Sequence, residues 1–193
     1  MEQLYALNYH FPHPPAGLVY PWFLQLLKAL SVTAALVAWK PLTSTSTSTP
    51  TYLTALVTLF FLSSLSLFAW TAAVAQPRQL SVIYGRVTPT YILSSGPFAF
   101  ARHPTYVAYA LGWAGAVVRV ITAGVTETPL RITLMVSSAT GLFWLYHRGA
   151  VLEEEQFLQG HETVAGQKVG ENVRVEYLTY VRRVPYRWIP GVV

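Results

Sequence analysis

Cysteine is absent from the chain, which excludes disulfide scaffolds, zinc–cysteine sites, thiol catalysis and palmitoylation. Charge is scarce too: Asp, Glu, Lys and Arg together make up 11% of the 193 residues, where a soluble domain carries about 25%. An ordinary water-soluble enzyme is therefore not expected, and the 53% apolar content excludes a disordered chain. Eight acidic residues face thirteen Lys and Arg, a formal charge of +5. In so apolar a chain that excess points to an anionic membrane face and away from nucleic acid. Familiar catalytic signatures are missing as well. There is no G-x-G-x-x-G after a strand, no P-loop, no H-E-x-x-H and no G-x-S-x-G. His10 and His13 sit in a proline-rich leader and read as surface histidines, so no metal site is expected.

What the chain does have is four apolar stretches. Residues 19–39 contain only Gln25 and Lys28 as strongly polar side chains, and residues 52–75 lie in a segment without charge. A bilayer-spanning helix needs about 20 mostly apolar residues, so both qualify. Residues 106–125, broken by Arg119, and residues 132–146 are shorter. They read as a helical hairpin around the turn at 122–129, with Arg119 and Arg131 snorkelling to the headgroups; a buried helix of a soluble core is the other reading of the last run. Residues 43–49 alternate Ser and Thr, a polar low-complexity linker. Arg78, Arg86 and Arg102 in one connection, and Arg148, Lys168, Arg174, Arg182, Arg183 and Arg187 in the tail, hold most of the positive charge. With four spans these regions fall on one side, which the positive-inside bias makes cytosolic. The first 20 residues carry no Lys or Arg and do not read as a cleavable signal peptide. The expected fold is all-α: a polytopic integral membrane helical bundle of about four transmembrane helices with a cytosolic C-terminal helical and loop segment. Residues 1–89 would supply the leader, two spans and linker.

Two polar clusters flank the hairpin. The first contains Gly96-Pro97-Phe98 and Arg102-His103-Pro104-Thr105-Tyr106; the second is Glu153-Glu154-Glu155-Gln156-Phe157-Leu158. A hairpin returns the chain to the side it left, so His103 and Tyr106 should approach the glutamates. Each cluster alone has a plainer reading. Arg102 and His103 can anchor a helix start, with Pro104 in the first turn, and three successive glutamates are usually a solvated face.

Together the clusters resemble the isoprenylcysteine carboxyl methyltransferase family. The likeness rests on Gly96-Pro97-Phe98, Arg102-His103-Pro104-x-Tyr106, a helical hairpin, Glu154-Glu155-x-x-Leu158 and the ending Val184-Pro185-Tyr186-Arg187-Trp188-Ile189-Pro190-Gly191. It spans roughly residues 90–193, and the ending looks most like fungal members. The resemblance implies an S-adenosyl-L-methionine-dependent enzyme of the endoplasmic reticulum membrane, multi-pass, its active site facing the cytosol. Its partners would be membrane lipid and the C-terminal prenylcysteine of prenylated proteins, whose carboxylate it would methylate. By the same resemblance the cofactor contacts fall on Thr90, Tyr91, Ile92, Leu93, Phe98, His103, Pro104, Thr105, Tyr106 and Glu154. Phe98 stands where many relatives carry Tyr. Ala150 stands where the family has its substrate-side Arg, and Arg148 is the nearest candidate for that catalytic role. A related membrane methyltransferase acting on a lipid or small acceptor, or a non-catalytic relative, are the alternatives.

The chemistry suits these residue types. A carboxylate is ionised at pH 7 and needs no general base, so the work is mainly orientation. The faces of Phe98 and Tyr106 can hold a sulfonium by cation–π attraction. Glu154 can bind the cofactor's amino or ribose groups, His103 its polar end, and an Arg fork matches the two oxygens of the acceptor.

Overall fold

The computed structural model describes residues 21–39, 51–75, 92–122, 129–159 and 171–191. Five α-helices and one 3-10 turn make up most of them, and no strand occurs among the described residues. Proline sets the starts. Helices α1 (Pro21–Trp39), α3 (Pro104–Thr122) and α4 (Pro129–Gln159) each begin on one, and α2 (Thr51–Ala75) follows Pro50. The ring presets a helical φ, and its missing N–H is one the first turn leaves unpaired anyway. Proline also stands two residues beyond the ends of α1, α2 and α5 (Glu171–Arg183), at Pro41, Pro77 and Pro185. There it disfavours the helical conformation of the residue before it. The last turn of α5 carries Arg182 and Arg183, opposite in charge to the carbonyl end of the helix dipole.

Two helices among the described residues are long and apolar enough to cross a membrane, Tyr52–Ala75 and Pro104–Thr122. α1 contributes a shorter apolar stretch, Lys28–Ala38. In α2 the most apolar window has no residue buried inside the protein, and Leu59, Leu62 and Leu65 face outward. A core helix of a soluble domain would bury such side chains. The hairpin's second arm differs from the sequence expectation: the helix does not stop near Tyr146 but runs unbroken to Gln159. The turn at 123–128 lies outside the described residues.

α3 is the central helix, packed against α1, α2 and α4, while α1 also lies along α4. Its small residues let α2 approach. A Cβ on Gly115 would come 3.0 Å from Phe60 Cβ, and Ser64 Oγ donates a 2.7 Å hydrogen bond to the Ala108 carbonyl. Small-residue contact of this kind is how helices associate where lipid removes the hydrophobic drive. On α4 the buried positions Met135, Ser138, Ala139, Leu142, Leu145, Tyr146, Ala150 and Glu154 recur at helical spacing. Met135, Leu142, Tyr146 and Ala150 form one cluster with Ala34, Tyr106, Ala116 and Val120, and the stripe ends on Glu154. Arg131 does more than reach for headgroups. Its Nε and Nη2 donate to the Val37 carbonyl at 2.9 and 2.7 Å, satisfying an orphan acceptor in the last turn of α1.

Candidate functional site

The chain enters α3 through a 3-10 turn, Gly96–Ala99. Gly96 sits at φ +59, and a Cβ there would lie 2.8 Å from Val74 Cγ2, so the turn needs both the conformation and the space of glycine. At the end of the turn the C-terminal segment closes over the start of α3. The Arg102 N–H donates to the Tyr186 carbonyl at 3.0 Å and the His103 N–H to the Arg187 carbonyl at 3.1 Å. These donors precede the helical ladder and would otherwise need water. Tyr180 Oη donates 2.7 Å to the Phe98 carbonyl, which ties α5 to the same turn.

His103 and Glu154 meet here. His103 Nε2 lies 2.9 Å from Glu154 Oε1, and Nδ1 lies 3.5 Å from Glu153 Oε2. Arg187 grips Glu154 through both oxygens, Nε to Oε1 at 3.0 Å and Nη2 to Oε2 at 2.8 Å. Arg102 Nη1 adds a contact of 3.5 Å to Oε2. The two oxygens of a carboxylate offer about four acceptor positions, and protein donors face all of them.

Electrostatics follow from this crowding. Burial alone would raise the pKa of Glu154. The hydrogen bonds from His103 and Arg187, with the charge of Arg102, outweigh it and hold the carboxyl at about 2. Burial opposes charging of His103, yet its hydrogen bonds to Glu153 and Glu154 and their charges together raise its pKa above 6.5. The hydrogen bond to Glu154 raises Arg187 as well. Burial pushes the Tyr177 and Tyr180 hydroxyls up. With His103 protonated, three cations meet two carboxylates, so the cluster keeps one positive charge in excess. Two buried donors, Arg102 Nε and Tyr177 Oη, lack a hydrogen-bond acceptor.

An aromatic group borders the ions. Tyr106 stacks on His103 and on Tyr146, with centroids 5.5 and 5.6 Å apart. Trp188 leans on His103, Tyr106 and His147, and the Trp113 indole N–H donates to Tyr146 Oη at 3.1 Å.

The sequence-derived residues fare unevenly. His103, Tyr106 and Glu154 come together, with Pro104 buried beside them at the helix start and Thr105 half-buried. Ile92 packs on Tyr177, Tyr180 and Val184, Leu93 is half-buried, and Phe98 joins through its backbone. Thr90 and Tyr91 lie outside the described residues. Arg148 does not join: it is exposed on α4, and no hydrogen bond or ion pair links it to the cluster among the described residues. Both ring nitrogens of His103 are turned to carboxylates, so His103 and Glu154 organise the cluster in place of presenting free polar ends. Arg187, Trp188 and Tyr177 join the site without being among the residues the sequence points to. The one available signal was an Arg-Trp pair between prolines in the ending 184–191.

Among the described residues no group of three or more His, Cys, Asp or Glu side chains is arranged to hold a metal. No protein-family model, curated protein or solved structure matches the chain.

Proposed function

We propose that the protein is an S-adenosyl-L-methionine-dependent methyltransferase acting on the C-terminal prenylcysteine carboxylate of prenylated proteins. It works from a four-span bundle in the endoplasmic reticulum membrane, with the C-terminal segment in the cytosol. The observation that carries this reading is the 2.9 Å contact between His103 and Glu154, which joins the two motifs of the family resemblance at one end of the α3–α4 hairpin.

The residues present fit such a cofactor. Arg102 Nε and Tyr177 Oη are buried polar atoms without a hydrogen-bond partner, beside a cluster that carries one surplus positive charge when His103 is protonated, and they suit its carboxylate or that of the acceptor. Trp188, half-buried beside Tyr106, brings an aromatic ring to the same place, and such a ring can hold a sulfonium by cation–π attraction. When bound, S-adenosylmethionine supplies an electrophilic methyl group on a sulfonium sulfur.

The protein's part is orientation and charge. Glu154 holds Arg102, His103 and Arg187 together through its two oxygens and balances part of their charge. The surplus charge attracts the acceptor carboxylate, a role the exposed Arg148 is poorly placed to fill. His103, held toward its protonated form, is a poor base. That agrees with a carboxylate nucleophile, already ionised at pH 7, and disfavours an amine acceptor, which must lose a proton first. The exposed apolar faces of α2 support a bundle that a prenyl chain approaches from lipid.

The test is transfer of a labelled methyl group to a farnesyl-cysteine analogue by the purified protein in detergent, with a lipid amine in parallel. A base-labile methyl ester on the analogue is expected. Transfer to the amine alone, or to neither acceptor, overturns the proposal.

A further inference from the structure

A cavity of about 660 Å³ lies between α1, α2 and α3, lined by Ala35, Ala38, Phe61, Trp113 and Arg119 among others. That is within the usual range for small-molecule sites. The lining on α3 extends from Tyr109 to Arg119, about 15 Å at 1.5 Å per residue. The polar atoms of Ser64 and Trp113 are turned to protein partners, the Ala108 carbonyl and Tyr146 Oη, so neither donor is offered to the cavity. Charge enters the wall at one place, Arg119. Its side chain is exposed, and no carboxylate pairs with it among the described residues.

The polarity of the cavity excludes the acceptor proposed above as its occupant. Arg119 is 16 residues beyond His103 on the axis of α3, about 24 Å away. A prenylcysteine would carry its carboxylate at the His103 end, so a cation at the opposite end has nothing to bind on it. An apolar slot with one unpaired guanidinium at its far mouth matches an amphiphile of the reverse orientation.

We infer that the cavity between α1, α2 and α3 binds one acyl chain of an anionic phospholipid from the leaflet at the C-terminal end of α3, with its phosphate on Arg119. The guanidinium fork suits phosphate, and a cation at that depth reaches the headgroup layer by snorkelling. The cavity and Arg119 carry the inference; its exclusion of the prenylcysteine as occupant rests on the methyl-transfer reading.

Trp113 in the wall provides the readout. The full-length protein is placed in phosphatidylcholine vesicles and titrated with phosphatidylglycerol carrying a dibrominated acyl chain, which quenches indole fluorescence on contact. Saturable quenching is expected in the wild type. Trp113→Phe should leave only the linear quenching of the other tryptophans. Arg119→Gln should move the midpoint up about tenfold, the loss of one charge-assisted contact. Ala35→Phe, at an exposed position that lines the cavity, should abolish the saturable phase with the helical circular dichroism unchanged. Linear quenching in the wild type overturns the inference, and is the result if a second copy or another part of the chain fills the slot. A midpoint unmoved by Arg119→Gln overturns it as well.

Discussion

Glu154→Gln removes the charge on which four contacts converge. The carboxyl is held at about 2 against 4.5 for an unperturbed group. A shift of that size corresponds to about 3 kcal/mol of folding stability at neutral pH. Leaving Arg102 and Arg187 without a counter-charge pushes the cost toward the upper part of the ~3–5 kcal/mol seen when a buried pair loses one member. For a chain of this size the melting temperature should fall by about 8–20 °C. Because the folded pKa is depressed, the contribution is fully present above pH 4.5 and fades as pH falls toward 2. Thermal melts in detergent, followed by circular dichroism from pH 7 downward, should therefore show wild type and Glu154→Gln converging in acid. The cycle with Arg187→Gln adds a second check: the double variant should lose clearly less than the sum of the singles. A Glu154→Gln protein that melts within a degree of wild type at pH 7, or a gap that stays constant into acid, refutes the electrostatic reasoning.

Arg187→Gln should cost ~1.5–3 kcal/mol through its two charged hydrogen bonds, whereas Arg148→Gln, exposed and outside the cluster, should stay within about 0.5 kcal/mol; the same melts compare them. The His103 imidazole should titrate above 6.5 by NMR, and Glu153→Gln should bring the midpoint down. Since that pKa is raised on folding, the stability His103 contributes is complete below 6.5 and is lost as pH climbs through the folded value. Gly115→Leu should wedge α2 from α3, where even a Cβ comes 3.0 Å from Phe60 Cβ, at a cost of ~1–3 kcal/mol; a melt unchanged by it would contradict the close approach.

The sequence made some of this architecture readable and hid the rest for physical reasons. α2 is visible because 25 residues without charge have few other uses, and Pro104 marks the start of α3. α4 is hard to read because its hydrophobic pattern ends near Tyr146 while its helix does not. Beyond that point the buried stripe continues through Ala150 to a carboxylate, which no apolar pattern reveals. The meeting of His103 with Glu154 follows from hairpin geometry, a local argument. Arg187 and Tyr177 escape because their place depends on α5 and the last residues folding back onto the start of α3. That return is held by backbone bonds from Arg102 and His103, which carry no side-chain signature. Arg148, though close in sequence to the glutamates, lies on the exposed face of the same helix.

Titration calorimetry of S-adenosylmethionine into the detergent-purified protein tests the central claim most directly. The account predicts saturable one-to-one binding, weakened by His103→Ala and by Glu154→Gln under conditions where both variants remain folded. No binding heat with the cofactor at millimolar concentration would contradict it.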